Sequence, residues 1–245
     1  MVIKNLLFLL FTLPLSGSSL ISLSQNYLSA VRYQEEVDSL LTELRTLPTE
    51  RLFSELNTDR KKKVFWINIY NATVQHALKK DSSAYEHRLT FYGEKRIIIA
   101  GEHLSLNDIE HGILRKSQWI YGLGKVRKWF PSDFEKGQRL DSLDARVHFA
   151  LNCGAKSCPP ILFYRLESFE QEIEAATKGF LSENTVLYKE TLVLSKLFLY
   201  YSGDFGSKQD KIDFAKKYAG LGNLEQVKRI DYAEYDWSLA LDMYR

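Results

Sequence analysis

The sequence predicts an α+β fold, a single mostly helical domain with short antiparallel strands. Three observations carry this. Apolar residues recur at helical spacing through most of the first two thirds, short β-rich runs bounded by turn residues follow, and no repeat or Pro/Gly/Ser linker divides the chain. The 245 residues are 45% hydrophobic and 26% charged, which supports a packed core and excludes a disordered or low-complexity chain. A net charge of +2 lacks the basic excess of a nucleic-acid-binding domain. Two cysteines exclude a cysteine-rich zinc module or a disulfide-dense mini-domain.

At the N-terminus, Lys4 precedes an apolar run from Leu6 to Leu15, and Ser16-Gly17-Ser18 closes it. That is the pattern of a secretory signal peptide over 1–18, with cleavage expected after Ser18 and the domain over 24–245. The exported chain would be periplasmic or extracellular. No later stretch holds 18 consecutive apolar residues, so no membrane span is expected after cleavage. An oxidising compartment would also permit Cys153 and Cys158 to pair.

Leu28, Val31, Val37, Leu40, Leu41 and Leu44 predict one amphipathic helix over 27–47, ended by Pro48, with a short helix over 49–56 after it. The span 62–78 is apolar on most sides and predicts a buried helix. Asn68, Asn71 and Gln75 nevertheless share one face of it, so they must meet polar partners. The runs 88–92 and 96–100 around Gly93 predict a hairpin. Ser105 and Asp108 stand at capping-box spacing before a helix reaching Arg115. The stretch 118–138, with Trp119, Tyr121, Trp129 and Phe130, reads as a long aromatic loop shaping a cleft. A helix over 143–151, capped by Asp141 or Ser142, would place Asp144 and His148 on one face. Gly154 and Pro159-Pro160 end it. A helix over 168–181, a hairpin of 185–188 with 191–194, an extended 197–201, a helix over 208–218 and a final strand over 235–241 complete the prediction.

The densest chemistry lies in Arg146, His148, Asn152 and Cys153. A cysteine attacks as a thiolate, and a neighbouring imidazole can take its proton. Gly154 would turn the chain so that backbone N–H groups face an oxyanion. The alternative is a Cys153–Cys158 disulfide with His148 in the core. His111 follows Glu110, and adjacent helical residues face different ways, so spacing does not make them a dyad. His111 could instead reach Cys153, oriented by Glu110 or Asn71. His76, His111, His148 and Cys153 have no metal-site spacing, and Gly122 and Gly124 form no phosphate loop, so no metal or cofactor is expected.

Three ordered segments then resemble one family. They are Phe65-Trp66-Ile67-Asn68-Ile69-Tyr70-Asn71-Ala72, the run Leu104 to Arg115, and the run Asp144 to Pro159. Together with Tyr235-Asp236-Trp237-Ser238-Leu239 they closely resemble the DUF547 proteins of bacteria and plants. The resemblance singles out Asn68, Asn71, His111, Arg146, His148 and Cys153. It implies that Cys153 is kept where the Cys158 position can be Ser, which disfavours a family-wide disulfide. It implies no established activity, and only a distant papain-like or transglutaminase-like relation is conceivable. Ala145 stands where the family usually has Pro. The leading expectation is a thiol-dependent amide hydrolase or transferase, with Cys153 as nucleophile and His148 or His111 as base. Asn71 or Glu110 would orient that base, and Arg146 would hold a carboxylate. The alternatives are a noncatalytic peptide- or glycan-binding envelope protein using the aromatic loop, and a structural protein with a buried polar network.

Overall fold

The computed structural model describes residues 19–245; the expected signal segment and its cleavage position lie outside them. The described chain is a single mostly helical domain with some antiparallel strands. Helices α1 (Leu20–Tyr33), α2 (Asp38–Thr46) and α3 (Thr49–Glu55) come first. The one helix expected over 27–47 is therefore two. Gln34 adopts a left-handed conformation (φ 58°) and caps α1, a stop with no Gly or Pro to announce it. Leu20, Leu23, Tyr27 and Val31 then bury one face of α1, which packs along α4.

Helix α4 (Asp59–Lys80) is the axis of the fold, buried without interruption from Lys62 to Gln75. Its amide stripe bonds backbone from distant parts of the chain, and of the stripe only the Gln75 Nε2 lacks a hydrogen-bond partner among the described residues. Asn68 donates to the Tyr164 carbonyl (3.0 Å) and accepts from the Tyr164 N–H (3.2 Å). Asn71 donates to the Ala150 carbonyl (2.9 Å) and accepts from the Asn152 N–H (2.8 Å). Gln75 accepts from the Asp242 N–H (3.0 Å). Buried backbone outside regular structure needs partners, and α4 supplies them.

After a 3-10 turn at Ser82–His87, residues Arg88–Gly93 form helix α5, not the expected strand. The hairpin lies further on: β1 (Lys95–Ile99) pairs antiparallel with β2 (Glu102–Ser105). Its turn is Ala100-Gly101, both at positive φ (52° and 76°), the geometry that matches strand twist. Ser105 and Asp108 make the expected reciprocal bonds, Ser105 N–H to Asp108 Oδ2 (2.8 Å) and Asp108 N–H to Ser105 Oγ (3.1 Å). The helix that follows, Asp108–Leu114, is π-helical. A hairpin-like loop and helix α6 (Asp133–Gln138) follow.

The helix expected over 143–151 is only a 3-10 turn, Ala145–Phe149, capped by Asp144. The Asp141 and Ser142 amides bind Asp59 instead of capping anything. Helix α7 (Phe169–Asn184) leads into β3 (Val186–Tyr188) and β4 (Thr191–Leu194). Helix α8 (Leu197–Tyr200) stands where extended chain was expected. Helix α9 (Lys208–Tyr218) starts in a full capping box from Ser207 and Asp210. Strand β5 (Arg229–Tyr232) joins β4 in parallel, giving the order β3-β4-β5. The segment 235–241 is not a strand; it lies along the loop after residue 153, with Ala240 N–H on the Gly154 carbonyl and Lys156 N–H on the Ser238 carbonyl.

Candidate functional site

The π-helix brings together what α-helical spacing keeps apart. Its bonds run five residues back, Arg115 N–H to the Glu110 carbonyl (2.8 Å) and Ser117 N–H to the Gly112 carbonyl (2.7 Å). Within it Glu110 Oε1 lies 3.8 Å from His111 Nε2, so the adjacent pair does meet through its side chains. Tyr70 of α4 and Tyr201 each donate a hydroxyl to Glu110, at 3.1 and 2.7 Å. Arg115, one α-turn spacing beyond His111, donates to His111 Nδ1. His111 Nε2 therefore carries the ring proton in the neutral form.

The same guanidinium makes a two-point ion pair with Asp204, Nε to Oδ2 at 2.6 Å and Nη2 to Oδ1 at 3.1 Å. His148 Nε2 donates to Asp204 Oδ2 at 2.8 Å, and its ring stacks on Tyr201 with centroids 3.8 Å apart. Gly124 (φ +77°) lets the loop pass over this pair; a Cβ there would collide with Asp204 Oδ1. Of the two glycines that form no phosphate loop, Gly124 has this role, while a Cβ on Gly122 would press on Val126 and Trp119 instead.

Burial sets the protonation. It pushes His111 down to about 4, against the pull of Glu110, and it lowers His148 as well. For Glu110 burial opposes charge, but His111, Arg115 and the Tyr201 hydroxyl outweigh it and hold its pKa below the ordinary value. Asp204 is lowered too, burial being outweighed by its bonds from His148 and Arg115. Near neutral pH the cluster is thus two carboxylates and one guanidinium with two neutral imidazoles, a net −1.

A cleft of about 160 Å³ opens beside Glu110, His111 and His148. Its wall includes six aromatic residues, Tyr70, Tyr92, Tyr200, Tyr201, Tyr235 and Trp237. Glu110 is the only wall residue among those described that carries a formal charge at neutral pH, since Arg115 and Asp204 lie behind it.

Cys153 also lines this cleft, but as one half of a disulfide with Cys158. These are the chain's two cysteines, so no free thiol exists and the thiol-dependent hydrolase or transferase is overturned. The expected oxyanion donors are occupied as well: Gly154 N–H binds Asn152 Oδ1 (2.9 Å), and Cys153 N–H binds the Cys158 sulfur (3.1 Å). Tyr92 donates to the Cys153 carbonyl (2.6 Å), and the Tyr235 hydroxyl lies 3.3 Å from the Cys158 sulfur.

Of the six residues expected to carry the thiol chemistry, Glu110, His111, His148 and Cys153 meet in the cleft. Asn71 does not; it clamps the backbone at 150 and 152 and orients no imidazole. Arg146 does not; it pairs with Asp144 and Glu170, and Lys63 shares the same Asp144. Arg115, Asp204 and Tyr201 went unrecognised from sequence. The four-residue step from His111 to Arg115 was a visible signal, whereas Asp204 sits in a loop with no pattern around it. Of the aromatic loop, only Ile120 reaches the cleft wall. Among the described residues no group of three or more His, Cys, Asp or Glu could hold a metal ion, and no helix is long and apolar enough to cross a membrane.

A family model described as a protein of unknown function, DUF547, matches residues 53–181. No curated protein and no solved structure matches the chain, and nothing links the fold to papain or transglutaminase.

Proposed function

The chain belongs to the DUF547 family, and from the site just described we propose that it is a noncatalytic peptide-binding protein of the cell envelope. The observation that carries this is the lone charge of Glu110 on an aromatic-walled cleft. Tyrosine and tryptophan faces attract cations, and a buried carboxylate beside them adds a direct counter-charge. Glu110 accepts one bond at each oxygen, which leaves acceptor capacity for a guest. The cleft is smaller than the roughly 300–1,000 Å³ of a drug-sized ligand site. It suits the amine-bearing tip of a side chain or an N-terminus, with the rest of the peptide outside.

Titration calorimetry with lysine-rich peptides, their lysine-acetylated forms and cell-wall oligosaccharides tests the reading. The amine-bearing peptides are expected to bind and to be recovered intact, with acetylation weakening them at least about tenfold, on the order of 1.4 kcal/mol. Oligosaccharides binding in their place would make the ligand a glycan. Binding by neither would leave the polar network with a structural role. Cleavage of the bound peptide would overturn the noncatalytic reading.

A further inference from the structure

The loop from Lys116 to Phe130 contributes one side chain to the cleft, and its remaining features point elsewhere. Its backbone is fixed. Trp119 N–H binds the Val126 carbonyl (2.8 Å), Lys128 N–H binds the Ser117 carbonyl (2.7 Å), and Gly203 N–H binds the Leu123 carbonyl (2.8 Å). Its apolar side chains are nonetheless in solvent. Phe130 is 92% exposed and Trp129 85%, and Trp119, Tyr121, Leu123 and Val126 are exposed beside them. The same fifteen residues contain Lys116, Lys125, Arg127 and Lys128 and no acidic residue, a net +4 on a chain whose total is +2. The rest of the sequence therefore sums to −2.

We propose that this loop docks the protein on an anionic bilayer surface, with Trp129 and Phe130 entering the headgroup region and the basic residues lying against lipid phosphates. A side chain exposed to this degree has no protein wall around it. Peptide and glycan recognition uses concave surfaces, whereas a bilayer accepts a protruding one. Tryptophan is favoured at the membrane interface, and each Lys or Arg near an anionic leaflet adds attraction. Stable anchoring takes an apolar and a basic signal together, and both occur here on one fixed loop. The carboxylates around the loop are engaged with other residues: Asp204, under Gly124, with Arg115 and His148, Glu135 with Lys128, and Asp133 with Lys136.

The test is co-sedimentation of the chain lacking residues 1–18 with vesicles of phosphatidylglycerol and phosphatidylcholine, against vesicles of phosphatidylcholine alone. The protein is expected to bind the mixed vesicles, with a blue shift of tryptophan emission, and to leave the neutral ones free. W129S/F130S is expected to weaken binding at least about tenfold, and K125Q/R127Q to remove most of its salt dependence. All four side chains are exposed, so the variants should keep the circular dichroism and melting temperature of the parent. No binding to the mixed vesicles would overturn the proposal, as would binding unaffected by W129S/F130S. Neither result bears on the cleft, whose peptide test is separate.

Discussion

Arg115 and Asp204 stand 89 residues apart in sequence and form a two-point ion pair whose side chains are 1% and 0% exposed. An ion pair this deep specifies geometry more than it stabilises, because desolvation offsets much of the attraction. Here it fixes both imidazoles, His111 through the guanidinium and His148 through the carboxylate.

Removing one partner strands the other charge. D204N and R115M are each expected to destabilise the fold by about 3–5 kcal/mol, with the double replacement costing less than the sum of the two. Urea unfolding of the three variants measures this. A small loss for D204N would mean the pair is hydrated.

The imidazoles give the molecule an acid-side weakness. His111 falls from 6.5 in the open chain to about 4 when folded, and His148 is lowered by burial in the same direction. Below pH 6.5 the unfolded chain binds protons that the folded one refuses, so stability is complete above that pH and declines as pH falls towards 4. Melting temperatures across this window should drop steadily. H111Q should flatten part of the slope, and an unchanged slope would show that His111 is not the group responsible.

The disulfide closes a small loop, with five positions separating Cys153 and Cys158. Chain entropy then assigns it about 2 kcal/mol. Alkylation without reductant should add nothing to the purified protein, and after reduction it should add two labels. C153S/C158S should remain folded and bind the same ligand, as the sulfurs are wall and not chemistry. Rapid labelling of the unreduced protein would contradict the paired state.

Asn71 predicts a local effect. N71L would leave the Ala150 carbonyl and the Asn152 N–H buried without partners, at about 1–3 kcal/mol for each group. Hydrogen exchange at Asn152 should accelerate more than at the core of α4. Uniform acceleration would point to general loosening.

Much of the fold was legible where burial imposes a period. The amide stripe of α4 announced that polar partners must exist, and the motifs around Glu110, His111, His148 and Cys153 converged on one cleft. The rest depended on contacts that leave no local mark. Gln34 ends α1 without a glycine. Gly93 drew the hairpin away from its true turn at Ala100-Gly101. β5 is short and half-exposed, recognisable only by its pairing with β4. The π-helix has no spacing rule that would have joined Glu110 to His111, and Asp204 is a site residue only because Arg115 and His148 reach it. The cysteines were legible as a pair or as a thiol, and the structure selects the pair.

The clamps of α4 also set an order of events. Asn71 closes on backbone 81 residues later and Asn68 96 residues later, and Gln75 finds its partner only after 167. Each of these amides stays hydrated until a long loop has closed, and such nonlocal closures are slow. During synthesis the central helix therefore emerges well before the chain that completes its hydrogen bonding. The bond that Gln75 accepts waits longest of these, until the segment around Asp242 has arrived.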